Sequence, residues 1–204
     1  MHQGERFNTW THLAGLLLAT AGSAVLITHA ALWGDTWKVV SCSIFAASMV
    51  LLYGASTLYH SLRGRAKAVF MKFDHCMIYV LIAGTYTPFT LVTLRGPWGW
   101  SLFGTVWGLA LLGVLKEVWL GRERIPSMPL YLSMGWLAAV AAVPMVQQLP
   151  PWGLAWLVAG GLFYTGGIVF YANDERWRHA HGVWHLFVLA GTLCHFTAIL
   201  FFVN

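Results

Sequence analysis

Charge is what this sequence has least of. Its 204 residues include 12 Lys or Arg and 7 Asp or Glu, 9% of the chain, where a soluble domain carries about 25%. That shortage excludes an ordinary water-soluble globule. Cysteine is also scarce. Cys42, Cys76 and Cys194 are scattered and form no CxxC pair, so they read as small apolar fillers and no disulfide is expected. The net charge of +5 does not point to nucleic acid, because the basic residues fall mostly in short breaks between apolar runs. The first twelve residues are largely polar, and no cleavable signal is expected ahead of the first apolar run.

What the chain has instead is hydrocarbon: 58% of its residues are hydrophobic and 12 are Trp. Seven apolar runs, at about 12–33, 39–62, 73–94, 99–120, 129–148, 152–171 and 181–203, are each long enough to cross a bilayer core of ~30 Å. Between them lie "GDTWK", "RGRAKAVFMK", "RGPWG", "GRERIPSMP", "QQLPP" and "ANDERWRHA", each with the Gly, Pro or charge that ends a span. Unpaired backbone cannot face lipid, and runs this long do not suit barrel strands. The expected architecture is all-α: one seven-helix transmembrane domain over residues 1–204, with no room for a separate soluble domain.

Lys and Arg orient it. Arg6, Arg63, Arg65, Lys67, Lys72, Lys116, Arg122, Arg124, Arg176 and Arg178 fall on one side, and Lys38 and Arg95 on the other. The N-terminus is therefore expected in the cytoplasm and Asn204 outside. Trp98, Trp100, Trp119 and Trp152 fall near span ends, where an interfacial aromatic belt belongs.

The polar residues gather at the cytoplasmic ends. Glu5, Asn8 and His12 open span 1, Ser56 and His60 close span 2, Asp74 and His75 open span 3, and His179, His181 and His185 lead into span 7. In "HGVWH" the two histidines are four apart, on one helical face and able to share an ion. A third imidazole from His60 would complete a three-histidine set with a fourth position open, the pattern of a catalytic zinc rather than a structural one. Asp74 enters just beyond the loop from His60, placed to orient water at that position and take its proton. An HxxxH pair alone has a plainer reading, two interfacial histidines bonded to headgroups and water. Ser56 could equally back-bond to its own helix. Glu5, Asn8 and His12 form one polar stripe, read as capping the bundle or supporting the ligands from behind. His195, ten residues beyond His185, lies about 15 Å deeper and reads as a hydrogen-bonded core histidine. His29, His75 and His179 read as interfacial. "GGLFYTGG" in span 6 permits close helix approach, and Pro88 and Pro144 are expected to bend spans 3 and 5.

"ERFNTWTH", "STLYH", "DHCMIYVLIAGTYTPF" and "HGVWH" resemble the motifs of the progestin and adipoQ receptor family, in particular its bacterial hemolysin III-type branch. The resemblance covers all seven spans. It implies a seven-helix fold with a cytoplasmic N-terminus and a zinc ion in the inner leaflet. The implied ligands are His60, His181 and His185, with Asp74 holding water on the zinc and Ser56 close by. Alkaline ceramidases in the wider superfamily imply hydrolysis of a lipid amide, and bacterial relatives are linked to membrane lipid homeostasis.

The leading expectation is thus a zinc-dependent intramembrane hydrolase of the bacterial inner membrane. It would cleave an amide or ester of an acyl lipid, with Asp74 as base and Ser56 steadying the oxyanion. The alternative is a non-enzymatic membrane sensor or regulator whose zinc ties spans 2 and 7. Bis-histidine haem fits less well, since an i,i+4 pair on one helix suits a compact ion better than the two faces of a porphyrin. A channel fits less well still, because no polar stripe continues to the outer face.

Overall fold

The computed structural model describes residues 5–119 and 127–204; Arg122 and Arg124 lie outside the described residues. Seven helices in it are long and apolar enough to cross a membrane: α1 (Glu5–Trp33), α2 (Thr36–Ser61), α3 (Gly64–Thr93), α4 (Pro97–Trp119), α5 (Met128–Gln148), α6 (Pro151–Tyr171) and α7 (Ala180–Phe202). The described residues contain no strand. The protein is a multi-pass integral membrane protein. Trp98, Trp100, Trp119 and Trp152 are each more than half exposed at helix ends, as the interfacial belt requires.

Two helices begin well before the apolar runs predict. α1 starts at Glu5 and α3 at Gly64, because hydropathy marks the stretch that crosses hydrocarbon, whereas a helix continues wherever one face still packs. On α1 the extra turns bury Thr9, Thr11 and His12. On α3 they absorb most of "RGRAKAVFMK", leaving Leu62 and Arg63 between α2 and α3. Gly64, at φ +60°, takes the left-handed conformation this tight reversal needs, which costs glycine little.

The helix ends opposite most of the basic residues are fixed locally. Asp35 caps α2 by accepting the Lys38 N–H at 2.9 Å. The same carboxylate takes the Arg95 guanidinium at 2.7 Å, joining the α1–α2 and α3–α4 connections. Pro97 and Pro151 start α4 and α6, where a missing N–H costs nothing.

The two prolines within spans act differently. After Pro88, α3 widens into a π-helical segment over Phe89–Thr93, with Leu94 N–H donating to the Phe89 carbonyl at 2.8 Å. In α5 the irregularity falls ahead of Pro144, as a 3₁₀ segment over Trp136–Ala141. The Pro144 ring cannot share space with the carbonyl four residues earlier, at Val140. Tyr86 of α3 steadies this switch. Its hydroxyl approaches the Met134 and Gly135 carbonyls at 2.9 Å each and accepts the Ala138 N–H at 2.7 Å. Backbone groups that the bilayer cannot satisfy are thereby paired within the protein.

α2, α3 and α7 are the most buried helices. Tyr53, Phe45, Met49, Tyr79 and Ile199 lie at the centre of the bundle. Apolar burial drives little helix association in lipid, so close packing and interhelical hydrogen bonds matter more. α6 and α7 interlock through glycines: a methyl at Gly160 would overlap the His195 ring, and one at Gly167 would meet Phe187 and Trp184. The Tyr53 and Tyr164 hydroxyls both meet Thr192 Oγ1 at 2.8 Å, tying α2 and α6 to α7. α5 packs on α3 and α4 and reaches α6 through Trp136, whose indole N–H donates to Thr165 at 3.0 Å.

Candidate metal centre

At the end of the bundle that carries most of the basic residues, α2 and α7 bring three imidazoles together. One ligand nitrogen from each of His60, His181 and His185 lies within 4.8 Å of the others. The pairwise ring-centroid distances are 5.1, 5.0 and 4.8 Å. His60 closes the last turn of α2. His181 and His185 occupy successive turns of α7, whose cap, His179, sits at φ +64°.

Each Nδ1 is already occupied. His60 Nδ1 lies 2.5 Å from Glu5 Oε2 on α1. His185 Nδ1 faces the Asn8 carbonyl at 3.2 Å and Thr11 Oγ1 at 3.1 Å. His181 Nδ1 lies 3.1 Å from Asp174 Oδ2 in the α6–α7 connection. Carboxylates and carbonyls accept, so each Nδ1 donates, and the tautomer these partners select leaves a lone pair on each Nε2. His60 Nε2 is buried with no partner. In its neutral form each of the three imidazoles, oriented from behind by an oxygen, presents an Nε2 lone pair, a donor set that fits a divalent cation.

The stripe on α1 divides by role. Glu5 is a bridge: besides His60 it accepts from Lys67 Nζ at 2.7 Å, and Lys67 in turn donates to the Tyr59 carbonyl and lies over the Tyr59 ring. Asn8 contributes its main-chain carbonyl to His185. His12 stacks on His185, with centroids 3.6 Å apart and planes at 19°, and stands outside the three-histidine set.

Ser56 and Asp74 are buried beside this set and line one cavity with His12 and His185. The cavity measures about 120 Å³ and becomes apolar away from these residues, with Leu52, Ile78, Leu81 and Val188 in its walls. A second cavity of about 290 Å³ shares Tyr86, Trp136 and His195 with it and extends between α3, α5 and α6. Polar groups at one end and hydrocarbon beyond suit an amphipathic ligand.

Three of the remaining histidines are placed as follows. His195 bonds the Leu157 carbonyl at 3.0 Å, within the core. His179 is exposed. His75, expected at the interface, is buried instead, with Nδ1 3.7 Å from Glu117 Oε2 and Tyr131 donating to its carbonyl at 2.8 Å. It lies one position past Asp74 and so faces the α4–α5 side rather than the cavity. Asp174, Thr11 and Lys67 went unread in the sequence as partners of the site. Asp174 sits in a segment that marks a span break, and only the tertiary fold aims a loop carboxylate at a ring seven residues on.

The sequence profile described as "Haemolysin-III related" matches residues 2–196, a span that includes all three histidines. The chain belongs to the haemolysin-III-related family. Within the family, it is 41% identical to "Hemolysin-3" of Bacillus cereus over 98% of this chain and 91% of that protein. It is 42% identical to "Hemolysin-3 homolog" of Bacillus subtilis (strain 168), over 97% of this chain and 93% of that protein. The human "Monocyte to macrophage differentiation factor" is 31% identical over 94% of this chain and 81% of its own length. No solved structure matches the chain significantly. As a haemolysin-III-related membrane protein, the chain carries a histidine cluster able to hold a metal ion.

Proposed function

We propose that this protein is a zinc-dependent hydrolase of the bacterial plasma membrane, cleaving an amide or ester bond of an acyl lipid and so contributing to membrane lipid homeostasis. The observation that carries the reading is the three-histidine set, whose His185 lines an apolar cavity together with Asp74 and Ser56. Zinc is favoured because three imidazoles with a free fourth position are a common catalytic donor set for that ion. Held there, it would polarise a carbonyl and lower the pKa of water.

The chain's own groups complete the chemistry. Asp74 is the base: it takes a proton from the attacking water and returns it to the departing amine or alcohol. Ser56 Oγ, buried against the Asp74 carboxyl, would donate to the oxygen that gains charge as the carbonyl carbon is attacked. The apolar walls hold the acyl chain and keep bulk water away.

Metal analysis combined with lipid turnover tests this. Purified protein should hold about one zinc per chain, and His60→Ala should lose it. Asp74→Asn should keep the zinc and lose turnover of acyl amides or esters. Zinc that remains while lipid turnover and membrane lipid profiles are the same with Asp or Asn would mean the ion only ties α2 to α7, as in a non-enzymatic sensor. Absence of metal from the purified protein would remove the electrophile and the reading with it.

A further inference from the structure

His12 is only 3% exposed, and neither of its ring nitrogens has a hydrogen-bond partner. Its faces are used: one stacks on His185 at 3.6 Å, and the edge of the ring system meets Tyr53 at 5.2 Å and 88°. Those contacts need an aromatic ring and would be served as well by phenylalanine. An imidazole buried with an unpaired donor and an unpaired acceptor bears the full cost of desolvating both groups. The ring nevertheless lines the cavity that holds Ser56 and Asp74. His12 stands outside the three-histidine set, its ring lying nearly parallel to that of His185.

We propose that His12 is the anchor for the polar group of the molecule that fills this cavity, and that this group is uncharged. A neutral imidazole offers one donor and one acceptor, which matches an alcohol or an amide. No Lys or Arg among the described residues lines either cavity, and Asp74 adds an acidic group, so apart from the ion proposed at the three histidines a phosphate head at His12 would meet no counter-charge, a costly burial. The inference rests on the proposed acyl-lipid reading and narrows it to lipids whose head, next to the bond to be cut, carries no charge.

Binding in detergent tests it, with dodecan-1-ol and dodecyl phosphate as probes, the two compared on zinc-free protein, where no ion can ligate the phosphate, and the variants compared on zinc-loaded protein; neither probe contains an amide or carboxylic ester bond, so binding is read apart from turnover of such bonds. Wild-type protein should bind the alcohol at least tenfold tighter than the phosphate. His12→Phe should keep its zinc, bind the alcohol about tenfold more weakly, and melt, without ligand, at the wild-type temperature or above. His12→Gln, which restores a donor and an acceptor without the ring, should recover part of the affinity. The proposal is overturned by alcohol affinity unchanged in His12→Phe, by a lower melting temperature in that variant, or by a folded, zinc-loaded His12→Gln that binds no better than His12→Phe. A preference for the phosphate overturns the uncharged head. Alcohol binding that depends on His12, with no acyl lipid ever cleaved, would remove the hydrolase reading and leave the anchor standing. Wild-type protein that binds neither probe overturns the anchor and leaves the hydrolase reading to the turnover assay.

Discussion

Glu5 on the first turn of α1 and His60 on the last turn of α2 meet through a 2.5 Å contact between Oε2 and Nδ1. Fifty-five residues apart, they make α1 part of the metal centre although α1 supplies no ligand. The carboxylate fixes the ring's tautomer and direction and raises the basicity of Nε2.

The first prediction follows from that contact. Glu5→Ala should weaken zinc binding by about 10- to 100-fold, and Glu5→Gln, still able to accept from Nδ1, by less. Competition with a calibrated chelator would measure both. Equal affinity in all three proteins would show that the carboxylate does not hold the ring.

Asp174 should matter less. Its side chain is 33% exposed and that of His181 25%, so water competes for the same hydrogen bond and screens the charge. Asp174→Ala is expected to weaken zinc binding by less than tenfold, by the same chelator titration, and always by less than Glu5→Ala.

Zinc should also stabilise the fold, because its ligands come from α2 and α7. The melting temperature of purified protein is expected to rise with added zinc, following mass action: about 2.7 kcal/mol at a hundredfold excess over the dissociation constant. Chelation should reverse the rise, and His60→Ala should abolish it. A melting curve indifferent to zinc would separate the ion from helix packing.

Tyr86→Phe isolates the α5 irregularity. Removing the hydroxyl leaves the Met134 and Gly135 carbonyls and the Ala138 N–H without their partner, at a cost of about 1–3 kcal/mol. The melting temperature should fall while zinc content holds. A neutral result would mean that water fills the gap.

Much of this was legible in the chain because two periods coincide in it. Runs of about twenty apolar residues give the seven helices and their order. The alternation of basic breaks gives the expected orientation, and the four-residue spacing of His181 and His185 puts both rings on one face. Less visible was where helices continue past hydrocarbon. Residues 5–11 and 64–72 look like tail and loop by hydropathy, yet they carry Glu5, Thr11 and Lys67 on helical faces that pack inward. Asp174 and the His75–Glu117 pair were hidden for another reason. Asp174 depends on how the α6–α7 connection folds back toward His181, and the His75–Glu117 pair on α3 and α4 being neighbours, which no one-dimensional pattern records.

The two walls of the larger cavity are built unequally. α6 is keyed to α7 by glycines that admit an aromatic ring and little else, so it has almost no freedom to part from its neighbour. α5, interrupted by a 3₁₀ stretch, is joined to α6 across the cavity by the Trp136 indole on Thr165. The cavity thus rests on packed backbone along one side and, along the other, on a single indole–hydroxyl hydrogen bond that one substitution would remove.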